Sequence, residues 1–233
     1  EGRWSTAVPE TAASRPPREL FVGGVRAARA RTPNEGFLRI KKAGEDRRTS
    51  FYFNKDDFAL PEDPGKVELV LLHDWSISRI RVRDIDPAAQ RLITVDSIGA
   101  KSLDFFDLDH WEPNPRYFLE NSLAFLDSDY EWFLDDDSGR LYLQLPGNLD
   151  PETVPVVIPF SEGLLSLRGD AVKPLTGISF EGITFSHSSW QIPATGYAGI
   201  QACHFDPRSG DSEGNFVPAA VQAEWTDGCD FRN

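Results

Sequence analysis

The chain is 233 residues long with a formal net charge of -13, from 24 basic and 37 acidic residues. That balance argues against nucleic acid and anionic membrane surfaces as partners, because binding a polyanion needs clustered Lys and Arg. No run approaches the roughly 20 apolar residues of a membrane span, and 17 Pro and 18 Gly scattered among short apolar runs exclude long helices, so the class is mainly β.

The first strong signal is Glu19-Leu-Phe-Val22, Gly23-Gly24, Val25-Arg-Ala-Ala28, which predicts a β-hairpin because paired glycines allow the positive φ angles of a tight primed turn. Phe51 to Phe53 reads as a short strand. After the Asp63-Pro-Gly65 turn, Val67 to Trp75 reads as a strand buried on both faces. Its parity puts His73 and Trp75 with Val67, Leu69 and Leu71, and Asp74 on the other side. Ser76 to Asp84 is expected to continue as a strand. Ile77 there shares parity with Arg79, Arg81 and Arg83, and a bulge near Ser76 to Ser78 would resolve the conflict. The three arginines form a stripe expected to be a solvated face paired with carboxylates.

Arg116 to Leu126 has apolar residues at Phe118, Leu119, Leu123 and Leu126, a helical spacing with Pro115 acceptable at its start. Glu131 to Leu134 and Leu141 to Leu145 flank Asp135-Asp-Asp-Ser-Gly139 and predict a second hairpin. Three adjacent aspartates could attract calcium, but the spaced loop with a distal Glu is missing, so a solvated hairpin tip is expected and no metal or cofactor. Pro151 to Pro159 reads as a connector, and the expected division is a β-rich module over 1–160 followed by a different unit over 161–233.

The later unit has the grammar of a parallel β-solenoid: short alternating strands at Ile178 to Trp190, Gly196 to Ala202, Ala219 to Trp225 and Gly228 to Asn233, with Gly182-Ile-Thr-Phe185 echoed by Gly228-Cys-Asp-Phe231. A solenoid turn cannot bury its apolar face alone. The rest of a coil, or another chain, is therefore expected to cap the C-terminal end, and the chain is expected to be a piece of a longer protein. It opens on Glu1 and has no Met, so its natural start is expected to be missing. Cys203 and Cys229 have no metal spacing and permit one disulfide at most, and Cys229 is expected to point inward as a small hydrophobe.

The candidate substrate contacts are Trp75 and His73, and Trp190, Tyr197 and His187. Indole suits the C–H face of a sugar while a nearby imidazole meets its hydroxyls. A His73–Asp74 dyad is disfavoured because strand neighbours point to opposite faces. If the chain bends at Ser186, His187 and Trp190 border a groove; if it stays regular, His187 enters the coil. Asp206, Asp211, Glu213, Glu224, Asp227 and Asp230 supply carboxylates near the end, and nothing singles out a hydrolytic pair among them.

Several segments in this order resemble the β-helix proteins of glycoside hydrolase family 141, the earlier module being similar to that family's insertion domain. They are Glu19 to Arg31, Val70 to Arg79, Tyr117 to Asn121, Glu131 to Asp135 with Gly139 to Tyr142, and Phe180 to His187 with Gly196 to Gln201. The resemblance implies a β-rich insertion module, sandwich- or barrel-like, followed by the first rungs of a right-handed parallel β-helix. It also implies a secreted or periplasmic protein acting on plant or algal poly- or oligosaccharides, with activities of the fucosidase or xylanase type and catalytic acids on later rungs. On this reading the fragment shapes the groove without cleaving. The rivals are a β-helix polysaccharide lyase and a non-catalytic glycan-binding or structural module.

Overall fold

The computed structural model describes residues 2–14, 16–73, 75–101, 106–200, 208 and 216–233. The strands of the first third are β1 (Arg3–Ala7), β2 (Leu20–Val22), β3 (Val25–Arg29), β4 (Arg31–Thr32), β5 (Leu38–Arg39), β6 (Lys42–Ala43) and β7 (Ser50–Tyr52). Next come β8 (Glu68–His73), β9 (Ser76–Asp86), β10 (Arg91–Thr94), β11 (Arg116–Glu120), β12 (Glu131–Asp135), β13 (Arg140–Gln144) and β14 (Val156–Val157). The last are β15 (Leu165–Arg168), β16 (Leu175–Thr176), β17 (Ser179–Glu181), β18 (Tyr197–Ile200), β19 (Val221–Glu224), β20 (Thr226–Asp227) and β21 (Asp230–Arg232). Among the described residues one short α-helix, Glu10–Ser14, interrupts this mainly β chain.

Both predicted hairpins form. β2 and β3 pair with Val22 opposite Val25, and Gly23 and Gly24 take φ of 57° and 81°, the two positive values that a primed two-residue turn needs. β12 and β13 pair with Asp135 opposite Arg140. Together with β1 and β14 they make a six-stranded sheet in the order β1-β13-β12-β3-β2-β14. β14 lies within the proline-rich connector and pairs with β2, so that connector closes a sheet edge.

The second sheet runs β4-β11-β8-β9-β10-β7-β6, with β5 also on β11 and β18 also on β9. Its inner face supplies Leu69, Leu71, Ile80, Val82, Tyr117 and Leu119 to one core cluster, and Trp132, Leu134, Leu141 and Leu143 of the first sheet belong to another. β12 serves both: Phe133 points into the first cluster while Trp132 and Leu134 point into the second, as alternation along a strand requires. Each large side chain fully buried in this way contributes about 1.5–3 kcal/mol.

Residues 116–126 depart from the helical expectation. Arg116 to Glu120 is a strand between β8 and the short β4 and β5, followed by one 3-10 turn at Leu123–Phe125. Asn121 ends the strand at φ 70° while its amide donates to the Lys66 carbonyl, and Ser122 accepts from the Ala124 N–H. Tyr117 to Glu120 are all buried, so the apolar spacing read as one helix stripe is two-sided strand burial.

The chain reverses between His73 and Ser76 rather than running on, and β8 and β9 keep one register from His73 opposite Ser76 to Glu68 opposite Arg81. The Ile77 conflict is resolved without a bulge there. Ser76 and Ser78 occupy the buried apolar side, the first in contact with the His73 ring at 2.9 Å and the second accepting the Gly99 N–H, while Ile77 lies on the arginine side.

Beyond residue 160, three parallel pairs form, β15 with β19, β16 with β20 and β17 with β21. Phe180 sits opposite Phe231, their rings stacked 4.9 Å apart at 10°. The echo of Gly228-Cys-Asp-Phe231 is therefore Gly177-Ile-Ser-Phe180 rather than Gly182-Ile-Thr-Phe185, and Gly177 and Gly228 share a left-handed φ of 67° and 60°. Between β17 and β19 the chain leaves these ladders to place β18 antiparallel on the first half of β9.

Candidate functional site

The outer face of the second sheet carries a buried cluster of charge. Glu68 and Glu120 stand directly opposite each other on β8 and β11, an unfavourable pairing of like charges that needs intervening cations. Arg18 supplies a bidentate pair to Glu68 at 2.6 and 2.7 Å. Arg29 Nη1 donates to Glu68 at 3.2 Å and to Glu120 at 2.6 Å, and Arg79 Nη1 donates to each at 3.0 Å. Burial opposes ionisation of Glu68, but the charges of Arg29, Arg18 and Arg79 outweigh it and hold the carboxyl far below the ordinary carboxylate range. Burial also lowers Arg18, reinforced by the Arg29 charge, whereas for Arg29 the two carboxylates overcome burial and raise it. The double-sided burial expected of this strand is thus apolar on one side and ionic on the other. The stripe expected to be solvated splits: Arg79 is in this layer, while Arg81 and Arg83 are exposed.

Above the layer lies a cleft of about 230 Å³ lined by Arg18, Arg26, Arg29, Arg31 and Arg79, with Trp190 as an aromatic wall. Phe118, Val70, Arg79 and Tyr197 form one row across β11, β8, β9 and β18, since opposed residues of antiparallel strands share a face. Trp190 meets Tyr197 edge-on at 5.7 Å, and the Arg18 guanidinium lies 5.2 Å from the Trp190 ring centre. The Arg31 guanidinium covers the Phe118 ring at 3.9 Å.

His187 has left the coil direction, at φ 66°, and its ring packs edge-on against Phe21 at 4.5 Å. Arg26, on the cleft rim, lies over the same Phe21 ring at 5.4 Å. The fold therefore brings Trp190, Tyr197 and His187 to one side of the molecule. His73 and Trp75 lie elsewhere. His73 is 3% exposed on the opposite face of the sheet, edge-on to Phe106 at 4.9 Å, and burial lowers its pKa to about 4. Trp75, at the tip of the β8–β9 turn, is 60% exposed and lies 6.3 Å from the ring of Trp111, itself 54% exposed. Asp74 lies outside the described residues, as do Asp206, Asp211, Glu213 and Cys203. Glu224 pairs with Arg168, and Asp230 with Arg232. Cys229 is half-buried rather than fully inside as its alternation with Phe231 predicted, and its thiol forms no disulfide among the described residues but lies 3.7 Å from the Leu175 carbonyl.

The three aspartates of the second hairpin already hold a cation. Lys66 Nζ lies 2.7, 3.0 and 2.6 Å from Asp135, Asp136 and Asp137, which raises the Lys66 pKa despite the cost of burial. A lysine reaching the tip from a neighbouring turn accounts for the cluster.

Sequence reasoning missed Arg18, Arg29, Glu68, Glu120 and Trp111. A signal existed for the carboxylates, since Glu at one end of each of two strands with apolar middles implies paired charge once those strands are buried. The partners of these carboxylates come from segments 50 and 91 residues away, which no local pattern reveals.

A family model described as the GH141 insertion domain matches residues 2–146, more than half of the chain. A solved structure titled "Glycoside hydrolase" superposes with a TM-score of 0.75 at 23% identity over 99% of this chain, a likeness of fold. The chain spans 44% of the length of that structure. No curated protein matches it by sequence.

Proposed function

From the premise that the chain belongs to the GH141 insertion-domain family, we propose that it forms one wall of the glycan groove in a secreted or periplasmic, glycoside-hydrolase-like protein, with bond cleavage carried out elsewhere. Residues 1–160 are the insertion module on this reading. Residues 161–233 are the first turns of a right-handed parallel β-helix, a reading supported by the three parallel ladders and by the common register of Gly177 with Gly228 and Phe180 with Phe231. Exposure of 56% at Ile183, 62% at Trp225 and 48% at Phe231 supports a further covering element, either more of the coil or another chain.

The carrying observation is the Trp75–Trp111 pair. Two indoles this exposed and this close, their planes tilted by 57°, form an apolar corner with polar edges, and either ring offers a face on which the C–H face of a pyranose stacks. Cleavage by either stereochemical route needs a carboxyl that donates a proton. Glu68, held ionised by three guanidinium groups, suits the ordering of arginines instead.

Calorimetric titration of the 233-residue chain with xylan, pectin and algal oligosaccharides is the test. Trp75→Ala and Trp111→Ala should each weaken binding by about 0.5–1.5 kcal/mol while leaving the melting temperature unchanged. Absence of binding to every glycan, or equal binding by both variants, would end the proposal.

A further inference from the structure

We propose that the arginine-lined cleft beside Trp190 is a subsite for an anionic sugar residue, one carrying a uronate carboxylate or a sulfate ester. The inference rests on the glycan-binding reading above and adds to it the charge class of the ligand.

Five guanidinium groups line the cleft, while the carboxylates within reach are Glu19, Glu68, Glu120 and, beside Arg31, Glu131, which leaves one positive charge unmatched in a chain whose net charge is -13. A concave positive spot on an acidic protein is a local arrangement that the overall balance conceals. It also attracts an anion more selectively than a uniformly basic surface would.

Several donors are unspent. Arg79 uses only Nη1 on the two glutamates, so its Nε and Nη2 have no partner among the described residues. Arg31 spends Nε on the Pro33 carbonyl and Nη2 on that of Gly36, leaving Nη1. Arg26, with a side chain 62% exposed at the rim, uses Nη1 on Glu19. Planar forks of this kind match the paired oxygens of a carboxylate or sulfate, and a charge-assisted pair is about twice as strong as a neutral hydrogen bond. The Glu68–Glu120 layer holds Arg29 and Arg79 in place from below, so little side-chain freedom is left to lose on binding. The cleft volume of about 230 Å³ has room for one sugar residue, and Trp190 closes one side.

The test is calorimetric titration of the whole chain with trigalacturonate, a sulfated galactan oligosaccharide and neutral galactotriose, at about 0.05 M and about 0.5 M salt. One or both acidic ligands should bind more tightly than the neutral one, with an affinity that falls at high salt. The tighter of the two identifies which anion is preferred. Arg79→Lys should weaken acidic binding about tenfold by replacing the fork with a point charge, and Arg26→Gln about threefold. Both variants are checked for an unchanged circular-dichroism spectrum, and Arg26→Gln, at the exposed rim, decides the matter if Arg79→Lys disturbs the ion-pair layer. Neutral and acidic ligands bound equally, or acidic binding unaffected by Arg26→Gln, would overturn the anionic subsite while leaving glycan binding at Trp75 and Trp111 standing. Failure of all three ligands to bind, alongside failure of the glycan panel, would overturn both.

Discussion

Glu68 and Glu120 face each other across β8 and β11, and Arg79 Nη1 lies 3.0 Å from a carboxylate oxygen of each. Two carboxylates in that position cannot both stay ionised in a folded chain unless cations lie between them, and Arg18, Arg29 and Arg79 come from three different segments to do so.

Replacing Glu68 by Gln keeps its shape and removes one anion from beneath three guanidinium groups. The expected loss is about 3–5 kcal/mol, read from urea unfolding at neutral pH, because an unmatched buried charge costs more than the pair gained. Since the folded-state pKa of Glu68 is depressed below its ordinary 4.5, its contribution is fully present above that value and is lost as pH falls further. Glu68→Gln should therefore flatten the acid limb of the stability curve. Equal unfolding free energies for the two proteins at neutral pH would contradict this account.

His73 acts in a different window. Its pKa is lowered from 6.5 to about 4, first by burial and then by the charge of Arg48, so the folded state disfavours its proton. Stability from this group is complete above 6.5 and declines as pH falls toward about 4. His73→Leu should remove that decline while leaving the Glu68 limb below it. Denaturant titrations at a series of pH values across both windows separate the two, and an unchanged slope in the variant would rule His73 out.

Lys66 takes the position that a metal would otherwise hold among Asp135, Asp136 and Asp137. Lys66→Gln should lower stability by about 1 kcal/mol, equivalent to about 2–4 °C in melting temperature for a chain of this size. Millimolar calcium should then restore part of that loss in the variant while leaving the native chain unchanged. A calcium-induced rise of equal size in both would show that Lys66 does not mask the cluster.

At Gly169 an added Cβ would sit 2.4 Å from the Trp225 carbonyl oxygen and 2.5 Å from the Leu175 nitrogen, both backbone atoms. Gly169→Ala must therefore push away the corner at Trp225, between β19 and β20. Limited proteolysis should reveal this as faster cleavage within 216–233, with the fragments covering 2–146 still protected. Identical digestion patterns would mean the corner opens without cost.

The local rules that carried over from sequence to structure were those that concern neighbours in the chain. Gly23-Gly24 and Asp135 to Gly139 each turned a strand back on itself because turn chemistry is decided within a few residues. The helix read over Arg116 to Leu126 failed because its apolar residues answer to β8 on one side and β4 and β5 on the other, partners distant in sequence. The Gly-x-x-Phe echo was legible, but the segment contains two successive copies, and the register of Phe180 on Phe231 selects the first. The aromatic candidates Trp190, Tyr197 and Trp75 were visible as residue types. The ion-pair layer beneath Trp190 was hidden, since it depends on Arg18 and Arg29 folding over a sheet edge.

β9 is long enough to hold two neighbours on one edge, β10 along Val82 to Asp86 and β18 along Ser76 to Arg79. It works as a splint: the excursion that leaves the parallel ladders is bolted by main-chain hydrogen bonds to the central strand of the other sheet. A hinge that swung the ladders open would have to unzip Tyr197 to Ile200 from that strand, so widening the gap between Trp190 and the arginines would cost the main-chain hydrogen bonds of that pairing.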